Sequence, residues 1–396
     1  MKKIMVFGVV WLFIAGCAMT RFAYQSKYII EEVRQQYAPD LRTAVFRIHA
    51  EKKGQQVTLT GETDIAGARR VLEDRFRRAG YEVTDAIRLL PDTALHGKTY
   101  GVVRLSVANL RSKPSVSAGL ETQALMGMPL RVLKREGHWY LVKTPERYTR
   151  WMNGGAFVLM TRDQFDSWAH SKKVIFTGGL GYAYSGPDVH STPVTDLLTG
   201  GIMQFVNRDG DFTKVRLPDG TPAFVPSESI RPYDQWLRSR ELTAENIERA
   251  AYSYLGVPYL WGGTSGKGLD CSGFTKNVFL QNGIMLPRDA SQQIAVGIEV
   301  PIDDKLSKLR KGDLLFFGRR ATGDKKERIT HVGIYLGNGQ FIHAGSDRAQ
   351  VAVESLFPDD PAFAERRRQS LLHARRIIGA GPDKGVRTVA ETMYDE

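Results

Sequence analysis

The spacing of apolar positions changes repeatedly along the chain and divides it into segments. Residues 27–37 carry a helical pattern. Residues 43–49 and 55–60 alternate as strands, and 64–79 place Ala66, Val71, Leu72, Phe76 and Ala79 at helical spacing. Gly80 stops that helix, and 81–89 (YEVTDAIRL) is extended again. From 100 to 168 the pattern becomes short strands between turn signals: VVRLSVANLRSKPS, ETQALMGMPLRVLKREG, HWYLVKTPE and YTRWM. A similar stretch follows over 173–233, with Ala183, Tyr184, Ser185 and Pro187 at its start. The segments LLTGGIMQFV and FTKVRLPDG come next, and TPAFVPSESI closes it. Asp219-Gly220 is a hairpin turn. A helix over 243–254, with Thr243 as N-cap and Asn246 at its third position, opens the last segment, 257–380. The fold class expected is multidomain α+β.

Two of these segments resemble known small domains. The helix–strand–strand–helix–strand order, with VTLTGETD before the second helix, resembles the BON-type domain of envelope proteins over 27–95; a generic two-layer spacer fits the same pattern. VANLRSKPS followed by TQALMGMPLRVLKREGHWYLV resembles a bacterial SH3-like β-barrel over 96–170. There the Gly127–Pro129 turn separates two strands and Trp139 sits on the barrel. Residues 171–238 are a second, weaker copy. The tail 381–396 lacks a core pattern and is expected to be flexible.

Composition adjusts this picture in three places. A length of 396 residues fits two to four domains. The net charge of +12 suits an anionic surface, but no nucleic-acid-binding signature accompanies it, so no nucleic-acid partner is expected. Only two cysteines are present, Cys17 and Cys271, which excludes a disulfide framework or a thiolate-rich zinc site. Lys2 and Lys3 precede an apolar run, Ile4 to Ile14, too short to span a bilayer. Ile14-Ala15-Gly16-Cys17 resembles the lipobox of bacterial lipoproteins. The resemblance implies a signal peptide over 1–16, an acylated Cys17, a tether over 17–26 and attachment to a lipid membrane; a plain secretory signal is the alternative. Ala18 after the cysteine favours the periplasmic face of the outer membrane if the source is a diderm bacterium.

The densest chemistry is VPYLWGGTSGKGLDCSGFTKNVFLQNG, residues 257–283. Cys271 stands where a glycine-rich loop meets a helix bearing Phe274, Val278 and Gln281, with Gly283 ending it. The helix N-terminus favours thiolate, the reactive form, and the glycines leave room for a substrate backbone. A phosphate-binding loop is excluded, because Gly268 stands where Ser or Thr is needed. A thiolate nucleophile needs a base. In ITHVGIYLGNGQFIHAG, residues 329–345, His331 shares a strand face with Gly333, while Val332, Ile334 and Leu336 face the core. Bringing His343 to the same face demands an odd hairpin loop, and Gly337-Asn338-Gly339 supplies one; a two-residue Asn338-Gly339 turn would separate the histidines. A zinc site of Cys271, His331 and His343 is the rival, but it has a single thiolate. No metal and no cofactor are expected.

The Tyr-x-Trp-Gly-Gly run ending in Asp-Cys-Ser-Gly resembles the NlpC-type papain-like cysteine peptidases. So do Gly-Asp-Leu-Leu-Phe-Phe (312–317), Thr-His-Val-Gly-Ile-Tyr-Leu-Gly and Phe-Ile-His-Ala. The resemblance covers 241–380 and implies a cysteine-bearing helix on an antiparallel sheet bearing the histidines. Carried over by position, Cys271 is the nucleophile, His331 the general base and then acid, and His343 the residue orienting His331. Tyr259 helps stabilise the oxyanion. With a barrel before it, the layout resembles γ-D-glutamyl-L-diamino acid endopeptidases, which release L-Ala-γ-D-Glu from peptidoglycan stem peptides with a free N-terminus. In those relatives the barrel closes one end of the cleft. That implies Asp270 for the substrate ammonium, and Ser272, Arg288 and Ser291 for the γ-D-Glu carboxylate. Glu121 and Tyr148 would stand at the closed end. Arg150 departs from the pattern, standing where glycine is expected before Trp151. Two alternatives are an endopeptidase acting on intact peptidoglycan and a non-catalytic wall-binding lipoprotein. The sequence sets no oligomeric state.

Overall fold

The computed structural model describes the backbone of residues 6–394 and the side chains from residue 21 onward. The lipid-signal expectation over 1–16 and the Cys17 side chain lie outside the described side chains. Among the described residues no helix is long and apolar enough to cross a membrane. The chain divides into two compact units, 1–96 and 97–396.

The first unit has the expected element order. A helix, Val6–Tyr37, precedes strands Phe46–Lys53 and Gln56–Thr63, helix Ala66–Arg78 and strand Glu82–Leu89. The first two strands are antiparallel and the third is parallel to the second. Ile29 and Val33 of one helix and Ala68, Leu72 and Phe76 of the other bury against Ile48, Val57, Leu59 and Ile87. The first helix begins before the expected residue 27. Phe22 and Ser26 are buried, so the stretch read as a tether is helical and packed over this part. Its pattern escaped notice because the apolar leader runs directly into it.

The second unit holds the two barrels and the chemistry. The first barrel orders its strands Phe157–Met160, Tyr100–Val103, Pro129–Glu136, Trp139–Lys143, Thr149–Asn153, Val107–Arg111 and Leu120–Leu125. The second repeats this order with Ile230–Pro232, Lys173–Phe176, Ile202–Asp209, Phe212–Arg216, Pro222–Pro226, Leu180–Tyr184 and Pro193–Leu198. The weaker copy is therefore the same fold. Met126, just before the turn expected between two strands of the first barrel, is buried in the core of the second.

The last segment builds a six-stranded antiparallel sheet. Its order is Ile298–Val300, Leu371–Arg376, Leu314–Arg319, Arg328–Gly337, Gln340–Gly345 and Gln350–Ser355. Helix Cys271–Gln281 lies on one face, where Phe274 and Val278 meet Val332, Ile334, Ile342 and Ala344. The other face is covered by Leu315, Phe317, Tyr335, Phe341, Leu356 and Leu371. The cysteine helix is buried almost all round, Lys276 included, whose ammonium pairs with Glu146 of the first barrel at 3.2 Å. The basic run 319–328 is exposed, as a solvated loop should be.

The tail corrects the sequence reading. Thr388 pairs with Ile284, Val389 N–H donates to the Gly283 carbonyl, and a Thr388–Glu391 capping box starts a four-residue helix. Val386, Val389 and Met393 are buried, and the Tyr394 ring meets Phe165 and Tyr233, one on each barrel segment. One helical turn is too short to show a period, so sequence pattern could not reveal it. Deleting residues 382–396 removes three buried apolar side chains, whose burial contributes about 1.5 kcal/mol or more each, and uncovers the apolar surface they pack on. The melting temperature should fall by at least about 6 °C, read by calorimetry; an unchanged value would make the tail dispensable.

Candidate active site

Asp270 caps the cysteine helix: its Oδ1 accepts the Gly273 N–H at 2.7 Å. The same carboxylate accepts from Gly262 N–H at 3.0 Å, from the Ser272 hydroxyl at 3.2 Å, and from both Arg288 Nη atoms at 3.1 and 2.5 Å. Five donors saturate its lone pairs. In the protein Asp270 is thus a buried cap and counter-ion at the start of the cysteine helix. Arg288 is 1% exposed, and it also donates to Thr122 of the first barrel at 2.8 Å and to Ser272 at 2.9 Å. Its bidentate fork is already occupied by Asp270. One guanidinium N–H is left over. Ser272 is buried in the same network, and Ser291 lies exposed on the helix Ala290–Gln293.

The glycine-rich loop is closed by protein rather than open to substrate. A Cβ on Gly273 would lie 2.0 Å from the Gly263 carbonyl oxygen, and one on Gly262 would lie 2.6 Å from the Leu120 carbonyl oxygen of the barrel. Gln123 of the barrel fastens the loop further. Its N–H donates to Thr264 Oγ1, its carbonyl accepts from that hydroxyl, and its Oε1 accepts from Thr264 N–H and the Ser265 hydroxyl, at 2.9–3.1 Å.

Burial, then the Asp270 charge, pushes the Cys271 thiol up to about 12. Hydrogen bonds from the Val332 and Ser272 N–H groups act in the opposite direction but do not prevail. The helix terminus therefore does not yield a resting thiolate, because burial and then the capping carboxylate outweigh it. The Val332 contact brings the sulfur to the residue after His331. Tyr259, half-buried, has its phenol raised by burial and then by the neighbouring Cys271, and stays protonated.

His331 and His343 do share a face. The turn is nevertheless the two-residue Asn338-Gly339, with φ of +50° and +79°, as in a type I′ turn. A bulge between Tyr335 and Gly337 restores the parity that such a turn would break, and Tyr335 pairs with Phe341 beyond it. His331 Nε2 lies 2.8 Å from His343 Nδ1. His343 Nε2 lies 2.9 Å from Glu354 Oε2, and Arg348 Nε donates to Glu354 Oε1. Burial, then His343 and Arg367, holds His331 well below the usual histidine range; burial likewise lowers His343, against the pull of Glu354. Burial opposes ionisation of Glu354, yet the bonds from His343 and Arg348 outweigh it and hold its carboxyl at about 2. Sequence reasoning missed Glu354 and Arg348. The alternation of Val351 and Val353 places Glu354 on the histidine face, and that was the available signal.

At the barrel side, the buried Tyr148 donates its hydroxyl to Asp289 at 3.1 Å. The Arg150 guanidinium stacks 4.6 Å over the Tyr148 ring and pairs with Glu121 at 3.3 Å. Glu121, Tyr148 and Arg150 thus form one cluster, joined through Asp289 to its chain neighbour Arg288. Among the described residues no group of three or more His, Cys, Asp or Glu side chains forms a metal-binding set.

Known proteins place this geometry. The NlpC/P60 family profile matches residues 256–364 and the bacterial SH3 domain profile matches 106–157. A dipeptidyl-peptidase 6 of Lysinibacillus sphaericus is 29% identical over 285 residues, covering 70% of this chain and 98% of that protein. A γ-D-glutamyl-L-lysine dipeptidyl-peptidase of Bacillus cereus is 31% identical over 255 residues, 62% of this chain and 73% of its own. A murein DD-endopeptidase/LD-carboxypeptidase of Escherichia coli is 34% identical over 147 residues, 37% of this chain and 69% of its own. A solved NlpC/P60 family protein from Bacillus cereus shares the fold with a TM-score of 0.59 at 24% identity, over 70% of this chain and 99% of that one. The cysteine helix, the histidine sheet and the barrel ahead of them thus recur together, and the chain belongs to the NlpC/P60 family and is a cysteine peptidase.

Proposed function

We propose that this protein hydrolyses the γ-D-glutamyl–L-diamino acid bond of peptidoglycan stem peptides, releasing L-Ala-γ-D-Glu from peptides with a free N-terminus. The observation carrying this is the extent of the likeness. The 255 residues aligned with the γ-D-glutamyl-L-lysine dipeptidyl-peptidase are more than the peptidase domain alone holds, so barrel and peptidase are shared together. The barrel also contributes Thr122 and Gln123 directly to the nucleophile's surroundings.

In this reading Cys271 attacks the glutamyl carbonyl carbon while its proton passes to His331. His331 then gives the proton to the leaving amine, and water hydrolyses the thioester with His331 again as base. His343 orients His331. The Cys271 N–H and the Tyr259 hydroxyl, protonated at all working pH values, stabilise the oxyanion. The spare Arg288 N–H serves the γ-D-Glu carboxylate beside the buried Ser272, with Ser291 at the periphery. Glu121 and Tyr148 face the peptide's amino end.

A second reading, cleavage within intact peptidoglycan, is favoured by Arg150. Its cation occupies the Glu121 carboxylate, the acceptor a free substrate ammonium would use. A relative named murein DD-endopeptidase is in keeping with it. We further propose that Cys17 is acylated and holds the enzyme on a membrane of the cell envelope, in a diderm the periplasmic face of the outer membrane. Each buried methylene contributes roughly 0.8 kcal/mol to such an anchor.

Four measurements test these readings. Cys271→Ala should lower hydrolysis of L-Ala-γ-D-Glu-diamino acid peptides by at least about 10³-fold. N-acetylation of the peptide should abolish cleavage by the parent enzyme, and Arg150→Gly should raise kcat/KM for the free-amine peptide about 10-fold. Cleavage indifferent to acetylation would select the second reading. Because His331 must be neutral to accept a proton and its pKa is held down, kcat/KM should remain flat as pH falls through 6.5 and decline only below it. A pH–rate profile declining already at 6.5 would contradict the buried, neutral base. Metabolic labelling with a radioactive fatty acid should mark the wild-type chain and not Cys17→Ser.

A further inference from the structure

The chain of contacts behind His331 determines where its proton sits. An ionised carboxylate can only accept hydrogen bonds, whereas a neutral imidazole carries one N–H and one bare nitrogen. Glu354 Oε2 faces His343 Nε2 at 2.9 Å, so that nitrogen carries the hydrogen. His343 Nδ1 is then bare and must accept from the nitrogen facing it, His331 Nε2 at 2.8 Å. With its hydrogen on Nε2, His331 has Nδ1 as its free base. The opposite order would put a hydrogen on His331 Nδ1 and leave no base for the thiol.

We propose that Glu354, itself fixed by Arg348, is the positioning residue that sets the tautomers of both histidines and thereby makes His331 Nδ1 the general base. The inference rests on the reading of His331 as base to Cys271. Glu354 is 3% exposed, so no water stands in for its carboxylate, and Arg348 Nε occupies its other oxygen. The further charges near the two rings are Arg367 and Asp347, which pair with each other at 2.8 Å. As the S–C bond forms, the thiol proton moves to His331 Nδ1. The resulting imidazolium keeps its Nε2–H on His343, one ring away from the Glu354 charge.

The arrangement makes an unusual demand of Glu354→Gln. Arg348 is a donor and will hold the amide oxygen, which turns the amide NH₂ toward His343 Nε2 and inverts both tautomers. In the full chain, kcat on the γ-D-glutamyl peptide should fall about 10²–10⁴-fold with KM changed less than about 3-fold, as expected when geometry survives and the tautomer does not. Adding Arg348→Met frees the amide to rotate and present its oxygen. The double variant should recover at least 10-fold in kcat over Glu354→Gln alone. Nitrogen NMR of the labelled imidazoles should show hydrogens on Nε2 of both His331 and His343 in the wild type, and on Nδ1 of both in Glu354→Gln.

The NMR measurement needs no substrate, so an incorrect substrate assignment would leave it intact while the peptide assay failed. If Glu354→Gln does not fold, the wild-type spectrum alone decides. A hydrogen on His331 Nδ1 in the wild type, or wild-type tautomers and kcat in Glu354→Gln, would overturn the proposal. So would a double variant no faster than the single one.

Discussion

The buried pair of Asp270 and Arg288 is what the site is built on. Placing two charges in a protein interior is costly, and such a pair holds only when hydrogen bonds satisfy it on all sides. Here they do. The carboxylate caps the cysteine helix and takes the Gly262 N–H, and the guanidinium reaches Thr122 of the barrel and Ser272. One pair thus fixes the start of the nucleophile helix, the loop before it and the barrel beside it. Losing either partner would leave the other as an uncompensated buried charge, at about 3–5 kcal/mol. Burial, and then the same carboxylate, hold the thiol neutral, so the surroundings that position the nucleophile also keep it quiet until a base takes its proton.

That restraint gives the histidine side of the site its importance. With the thiol near 12 and His331 well below its usual range, the resting pair is neutral on both members. Catalytic competence then depends on the direction of a hydrogen-bond chain rather than on a preformed ion pair. A chain ending in an ionised Glu354 has only one direction open to it.

Much of this was legible in the sequence, for identifiable reasons. The element order of the first unit, the two barrels, and the placing of Cys271 and His331 follow from local periods and from a dense run of motif residues. The missing parts are those fixed by long-range pairing. The cap-and-counter-ion role of Asp270 is not visible in the sequence, because its partner, Arg288, lies eighteen residues on with no periodic link. Glu354 was overlooked because a carboxylate in a strand reads as solvent-facing unless its neighbours' alternation is followed onto the histidine sheet. The hairpin shows a subtler limit. Bringing both histidines to one face does require an extra residue, but a bulge at Leu336 supplies it in place of an odd loop. The tail's single helical turn, anchored by Thr388 and Val389, is too brief for any period.

Gln123 and the loop of Thr264 and Ser265 have one more implication. Their shared hydrogen bonds are buried and join residues 141 positions apart. Lifting the peptidase segment away from its barrel would leave those donors and acceptors, the Lys276 ammonium and one guanidinium N–H without their protein partners. Barrel and peptidase are therefore not interchangeable parts. Recombination that swapped one without the other would cut through a polar seam rather than a linker, and descent with the pair intact is the route along which this architecture can diversify.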